Sequence, residues 1–173
     1  MASMNEEKFS YFDRLMMEEA LSEARLAYCE GEVPVGAVLT YKGEILATGR
    51  NQMESYSDPT AHAEILAIRA GASEVRDWRL KGTTLYTTLE PCLMCAGALL
   101  LARVDRVVWA APDLRHGANG SLCNVFALDH PTHSIKIEGG LLEETAANLM
   151  RTFFKWQRKE NEKRPRRVVR RTY

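Results

Sequence analysis

Residues 83–102 read TTLYTTLEPCLMCAGALLLA. The first seven, Thr83–Leu89, form an unbroken β-prone run of the kind found in a strand buried on both faces. Pro91 ends that run, and Cys92 to Ala102 continues as small and aliphatic residues suited to a packed helix. A buried strand passing directly into a helix belongs to an α/β domain, and the flanking sequence repeats the pattern in both directions. Upstream, Phe12, Leu15, Met16, Ala20, Ala24 and Ala27 recur at helical spacing between Ser10 and Glu30, with Gly31 as a stop. Val35 to Tyr41 and Glu44 to Thr48 flank Lys42-Gly43, the turn of a hairpin. Ala63 to Ala70 reads as a helix with Thr60 as its candidate cap. Downstream, Val104 to Ala110 is a strand, Ser134 to Ile137 a candidate fifth strand, and Leu141 to about Lys159 a long helix. These elements predict an α/β protein, a three-layer α/β/α sandwich with a central mixed five-stranded sheet. The segment between Asp113 and His133 lacks periodicity, and a loop of that length is usually functional or disordered.

The 173 residues suffice for one domain with a real core. We expect that domain over residues 1–160, followed by a basic tail over 161–173 that is a candidate for disorder. Apolar residues at 46% and charged residues at 27% exclude fibrous and disordered classes. No apolar run is long enough to span a membrane, and residues 1–10 lack a signal pattern, which predicts a cytoplasmic protein. The net charge of zero conceals an asymmetry: residues 151–173 hold ten Lys or Arg against two Glu, and residues 1–150 hold 13 basic and 21 acidic residues. A basic tail on an acidic body attracts phosphates, as in nucleic-acid binding, although a solvated terminus without a partner has the same composition.

Four cysteines in a reducing compartment point to metal or redox chemistry rather than disulfides. Cys92 and Cys95, three apart at a helix start, face one side and can share an ion. The positive end of the helix dipole favours their thiolate forms. His62 supplies a third donor from the start of another helix, a set suited to a catalytic zinc site with one position open to water. Glu64, two residues on, converges with His62 only if the helix begins about there, since that spacing inside a helix separates the side chains. A carboxylate beside a metal-activated water serves as a proton carrier. Taken singly, His-x-Glu is common by chance, and Cys-x-x-Cys also occurs in redox pairs and structural zinc sites. A structural site needs a fourth ligand from Cys29, which the helical pattern assigns to packing, or from Cys123, which has no neighbouring ligand-type residue.

Together, the two motifs match the His-x-Glu…Pro-Cys-x-x-Cys pattern of zinc deaminases acting on nucleobases. Nearly the whole chain further resembles the bacterial tRNA-specific adenosine deaminases. The resemblance is carried by residues 33–39 (VPVGAVL), Asn51, residues 58–65 (DPTAHAEI), 78–80 (WRL), 88–92 (TLEPC), 94–98 (MCAGA) and 117–122 (GANGSL). It implies a cytidine-deaminase-like fold, one Zn2+ per subunit, a homodimer, and hydrolysis of a wobble adenosine to inosine in a tRNA anticodon stem-loop. By the same resemblance, zinc-activated water attacks the base while Glu64 shuttles protons. Asn51 then hydrogen-bonds the substrate nucleoside and Asp113 faces its ribose and backbone.

Phe153, Phe154, Lys155 and Arg158 in the last helix offer aromatic and cationic contacts for unstacked bases and phosphates. We expect one of the two phenylalanines to be buried and the other, Phe154 in the substrate-binding set with Arg158, to reach the RNA side. The chain departs from the family pattern at Arg115, where Lys is frequent, at Pro112, where a longer polar residue is frequent, and at Gln157, where a basic residue is frequent. Two rival readings share the zinc motif: a deaminase of a free guanine- or cytosine-type base or nucleoside, and a non-catalytic zinc-stabilised RNA-binding module.

Overall fold

A computed structural model describes residues 8–163. Along the chain run α1 (Tyr11–Cys29), β1 (Gly36–Tyr41), β2 (Glu44–Arg50), a short α2 (Met53–Tyr56), α3 (Ala63–Val75), β3 (Thr83–Leu89), α4 (Leu93–Ala102), β4 (Arg106–Ala111), β5 (Lys136–Gly139) and α5 (Glu143–Lys163). A 3-10 turn, Val125–Ala127, lies inside the long loop after β4. The sheet order is β2-β1-β3-β4-β5. β1 is antiparallel to both β2 and β3, while β3, β4 and β5 run parallel. This is the expected mixed five-stranded sheet. Lys42 and Gly43, both at positive φ, close the β1–β2 hairpin.

The three layers follow from side-chain alternation along the strands. Leu39, Leu85 and Val107 face a core shared with Ala63, Ala67 and Ile68 of α3 and Leu99 and Leu100 of α4. Their neighbours Val38, Tyr86 and Val108 face the other way, against Met16, Met17, Ala20 and Leu21 of α1 and Ala146 of α5. The central strands are therefore covered on both sides, which explains the apolar run in β3. Gly49 of β2 lies so close to the Ala63 carbonyl that a Cβ would overlap it, so α3 starts tight against the sheet.

Several boundaries differ from the sequence-based expectation. β4 begins at Arg106 rather than Val104, and β5 covers Lys136–Gly139 rather than residues 134–137. Val104 is a fully buried loop residue, so its hydrophobicity reflects packing and not strand pairing. In α1 the buried stripe is Met16, Met17, Ala20, Leu21, Ala24 and Ala27, while Leu15 is exposed. Cys29, expected to pack, is exposed at the end of α1. Thr60 does not cap α3: His62 is the N-cap, and the Thr60 N–H and hydroxyl both donate to Asp58 Oδ1 in a local turn. Most of the expected tail, residues 164–173, lies outside the described residues, and residues 161–163 continue α5.

At the end of the sheet where β4 begins, Asp13 ties the layers together. It closes a capping box with Ser10 at the start of α1. Its carboxylate also accepts from Tyr86 Oη at 2.7 Å and from Arg106 Nη1 at 2.6 Å. Arg106 Nε in turn donates to Glu138 of β5 at 2.8 Å. Burial pushes the Asp13 carboxyl up, but the hydrogen bonds from Arg106, Tyr86 and Ser10 outweigh it and hold the group well below the usual carboxylate range.

Candidate active site

The parallel strands β3 and β4 both point their C-terminal ends at one cleft, the usual place for a ligand in an open α/β sheet. Its volume is about 1060 Å³. Two helices begin at its floor. His62 is the N-cap of α3 and Cys92 the N-cap of α4, both in extended backbone conformation and neither spending its side chain on the cap. An extended N-cap turns its side chain away from the helical repeat. That is how His62 and Glu64 converge despite a spacing of two.

His62 Nδ1 stands 3.6 Å from Cys92 Sγ and 3.5 Å from Cys95 Sγ, and the three donor atoms lie within 4.8 Å of one another. For a tetrahedral ion with Zn–S of about 2.3 Å and Zn–N of about 2.0–2.1 Å, the expected N···S separation is about 3.5 Å. Donor chemistry and spacing therefore both fit one zinc ion, with Nδ1 as the ligating nitrogen. Among the described residues this is the single His, Cys, Asp or Glu group of that kind. Cys29 and Cys123 are absent from it, so no fourth protein ligand closes the coordination.

The thiols titrate as a pair. A hydrogen bond from Cys95, aided by His62, pushes Cys92 down to about 4. The resulting thiolate, with burial and nearby Glu64, drives Cys95 far up. The Cys92 hydrogen bond also raises the His62 pKa. A cation among these donors inverts that coupling by favouring both thiolates. Glu64 is 3% exposed, and burial pushes its carboxyl up. A desolvated carboxylate takes up a proton more readily, which suits a proton carrier.

Three segments of the walls carry the remaining predicted residues. Asn51, directly after β2, is 5% exposed, and its N–H donates to the Val35 carbonyl. Asp113 follows β4, and its Oδ1 accepts the N–H groups of Arg115 at 3.0 Å and His116 at 3.2 Å. On α5, Phe154 and Arg158 line the cleft together with Arg151 and Lys155, one turn apart along the same face. Phe153 is fully buried against Tyr28, Phe154 and Trp156. One phenylalanine thus anchors α5 and the other faces the cleft. Every residue predicted for the site lies on this cleft except Cys95, which is buried just beneath it.

Sequence reasoning assigned no role to two buried carboxylates. Glu90 accepts from the N–H groups of Asp113 at 3.1 Å, Asn119 at 2.8 Å and Ser121 at 3.2 Å, and from the Ser121 hydroxyl. It folds the loop after β4 onto the residue just before Pro91-Cys92. Glu32 makes a similar set of bonds to Asn51 and to residues 54–55. In one dimension neither glutamate is distinguishable from a surface acid, because half of Glu32's donors and three of Glu90's four are backbone N–H groups.

Residues 10–111, a span holding both helix starts and all four residues at the cleft floor, match the family model for the cytidine and deoxycytidylate deaminase zinc-binding region. The class is thus a zinc-binding deaminase, with zinc as its cofactor. The tRNA-specific adenosine deaminase of Bacillus subtilis is 44% identical over 148 residues, covering 86% of this chain and 92% of that protein. A solved structure from work on A-to-I editing by tRNA:A34 deaminases at the wobble position aligns with TM-score 0.75 and 41% identity, over 78% of this chain and 97% of that one. The Bacillus subtilis guanine deaminase structure is more distant, with TM-score 0.57 and 30% identity over 87% of this chain and 95% of that one. The chain belongs to the tRNA-specific adenosine deaminase family.

Proposed function

We propose that this chain hydrolyses the wobble adenosine of a tRNA anticodon loop to inosine and ammonia, with His62, Cys92 and Cys95 holding one zinc ion and Glu64 carrying the protons. The observation that supports it best is the pairing of an open His-Cys-Cys donor set with buried Glu64 beneath a wall of Phe154, Arg151, Lys155 and Arg158. When bound, the ion supplies Lewis acidity that lowers the pKa of a water toward about 7. Glu64 accepts the proton of the attacking water and delivers it to the ring nitrogen next to the carbon under attack. It then passes a proton to the departing amine, so that water and adenosine leave as ammonia and inosine. Asn51 and Asp113 orient the nucleoside, Phe154 stacks on an unstacked base, and the α5 cations meet the phosphates. A loop nucleotide suits this site because turning its base out of the stack costs least where no duplex is broken.

The experiment is direct. The zinc-loaded protein is incubated with anticodon stem-loops bearing a wobble adenosine, and separately with free adenosine, guanine and cytidine. Inosine in the stem-loop is the expected product; ammonia from free bases or nucleosides with the stem-loop unchanged would overturn the proposal. We further propose a cytosolic homodimer. Among the described residues no helix is long and apolar enough to cross a membrane. α4 leaves Leu93 and Leu101 exposed at 53% and 68%, on one stripe with Gly97, an apolar face suited to a second copy. Sedimentation should report a dimer that Leu101→Glu weakens.

A further inference from the structure

Glu32 lies between α1 and β1 and is 1% exposed. Burying a carboxylate costs several kcal/mol unless hydrogen bonds satisfy its oxygens, so the identity of its donors shows what the charge is for. Oε1 accepts from the Ser55 N–H at 2.7 Å and the Ser55 hydroxyl at 2.8 Å. Oε2 accepts from Asn51 Nδ2 at 3.1 Å and the Glu54 N–H at 3.3 Å. All four donors are neutral, and three belong to residues 54–55, which hold the carboxylate in place. The fourth is a side chain that lines the active-site cleft.

A side-chain amide has two nearly isosteric orientations that exchange a donor for an acceptor. A carboxylate only accepts. Facing Glu32, Asn51 must turn its Nδ2 inward, and this decides which polar atom remains for the cleft. We infer that Glu32 is a positioning residue that locks the Asn51 amide in one orientation and so sets the hydrogen-bond polarity the site presents to the substrate base. The inference rests on the proposed contact between Asn51 and the substrate nucleoside.

The Glu32→Gln variant is nearly isosteric and yields a specific expectation. Its oxygen stays with Ser55, where it keeps two bonds of 2.7 and 2.8 Å, and the other end gives up only the longer 3.3 Å bond from the Glu54 N–H. Its amide nitrogen then occupies the Oε2 position and donates, and Asn51 flips to accept. The bond is restored while the polarity at the cleft is inverted. Fold and zinc content should be retained while the substrate meets the wrong partner.

The test uses zinc-loaded wild type, Glu32→Gln, Asn51→Ala and the double variant, with kcat and KM on an anticodon stem-loop, zinc content and Tm. We expect Glu32→Gln to lower kcat/KM roughly ten- to hundredfold at near-normal zinc content, with a modest drop in Tm for the lost Glu54 bond. The double variant should be no worse than Asn51→Ala, because both changes act through one amide. Stem-loop affinity, read in a Glu64→Ala background, supplies a second readout that needs no turnover. A Glu32→Gln enzyme within twofold of wild type, or losses that multiply in the double variant, would overturn the inference and leave the substrate contact of Asn51 standing. An unimpaired Asn51→Ala would overturn that contact and the inference with it. If Glu32→Gln does not fold, exchange protection of the Asn51 side-chain N–H in the wild-type protein decides the point: protection supports the lock, and exchange at the free-amide rate overturns it.

Discussion

At Gly117 the chain passes so near the Glu90 carboxylate that a Cβ would overlap it. The carboxylate cannot move aside, since its oxygens hold Asp113, Asn119 and Ser121. Gly117→Ala should therefore cost about 1–3 kcal/mol in stability and lower kcat/KM, because the loop carrying Asp113 shifts with Glu90. Unfolding midpoints and stem-loop kinetics measure both. Glu64→Ala should reduce turnover by about 10³-fold or more, while zinc content and stem-loop affinity stay close to wild type. Retained turnover would remove Glu64 from the chemistry, whereas stem-loop binding without turnover in the wild type would favour a binding module without catalysis. Cys92→Ala removes a donor whose two partners lie within 4.8 Å, and is expected to abolish zinc retention after dialysis against a weak chelator.

Among the elements, α5 carries two jobs on two faces. Phe153→Ala should destabilise the protein by about 3–5 kcal/mol, because it empties a fully buried aromatic site. Arg158→Ala, at an exposed position on the cleft wall, should leave stability unchanged, weaken stem-loop binding and reduce the salt dependence by about one phosphate contact. The junction of α1, β3, β4 and β5 at Asp13 predicts a pH dependence. Its folded pKa is depressed, so the stabilisation is complete above about pH 5 and is lost progressively as pH falls toward the depressed value. Urea unfolding at neutral and acidic pH should show a loss in the wild type that is smaller in Asp13→Asn. The variant is less stable at neutral pH because half-buried Arg106 keeps Glu138 but loses the other of its two charged partners.

For the molecule as a whole, the acidic body and basic C-terminal end place the cations of α5 beside the cleft, and residues 164–173 add five arginines in sequence. Deleting those ten residues should lower stem-loop affinity and flatten its salt dependence, with turnover at saturating substrate little changed. The sequence by itself determined the layered α/β architecture, the donor set His62, Cys92 and Cys95, and the place where α3 begins. Those features depend on local chemistry: strand-to-helix periodicity, ligand type, and the constraint that His-x-Glu converges only at a helix start. Only the tertiary structure decided the phase of the α1 stripe, the exposure of Cys29, and the work of Glu32 and Glu90. Each depends on what lies opposite in space. The two glutamates show it most clearly, for their partners stand 19 to 31 residues away and are mostly backbone N–H groups, which every sequence contains and none marks.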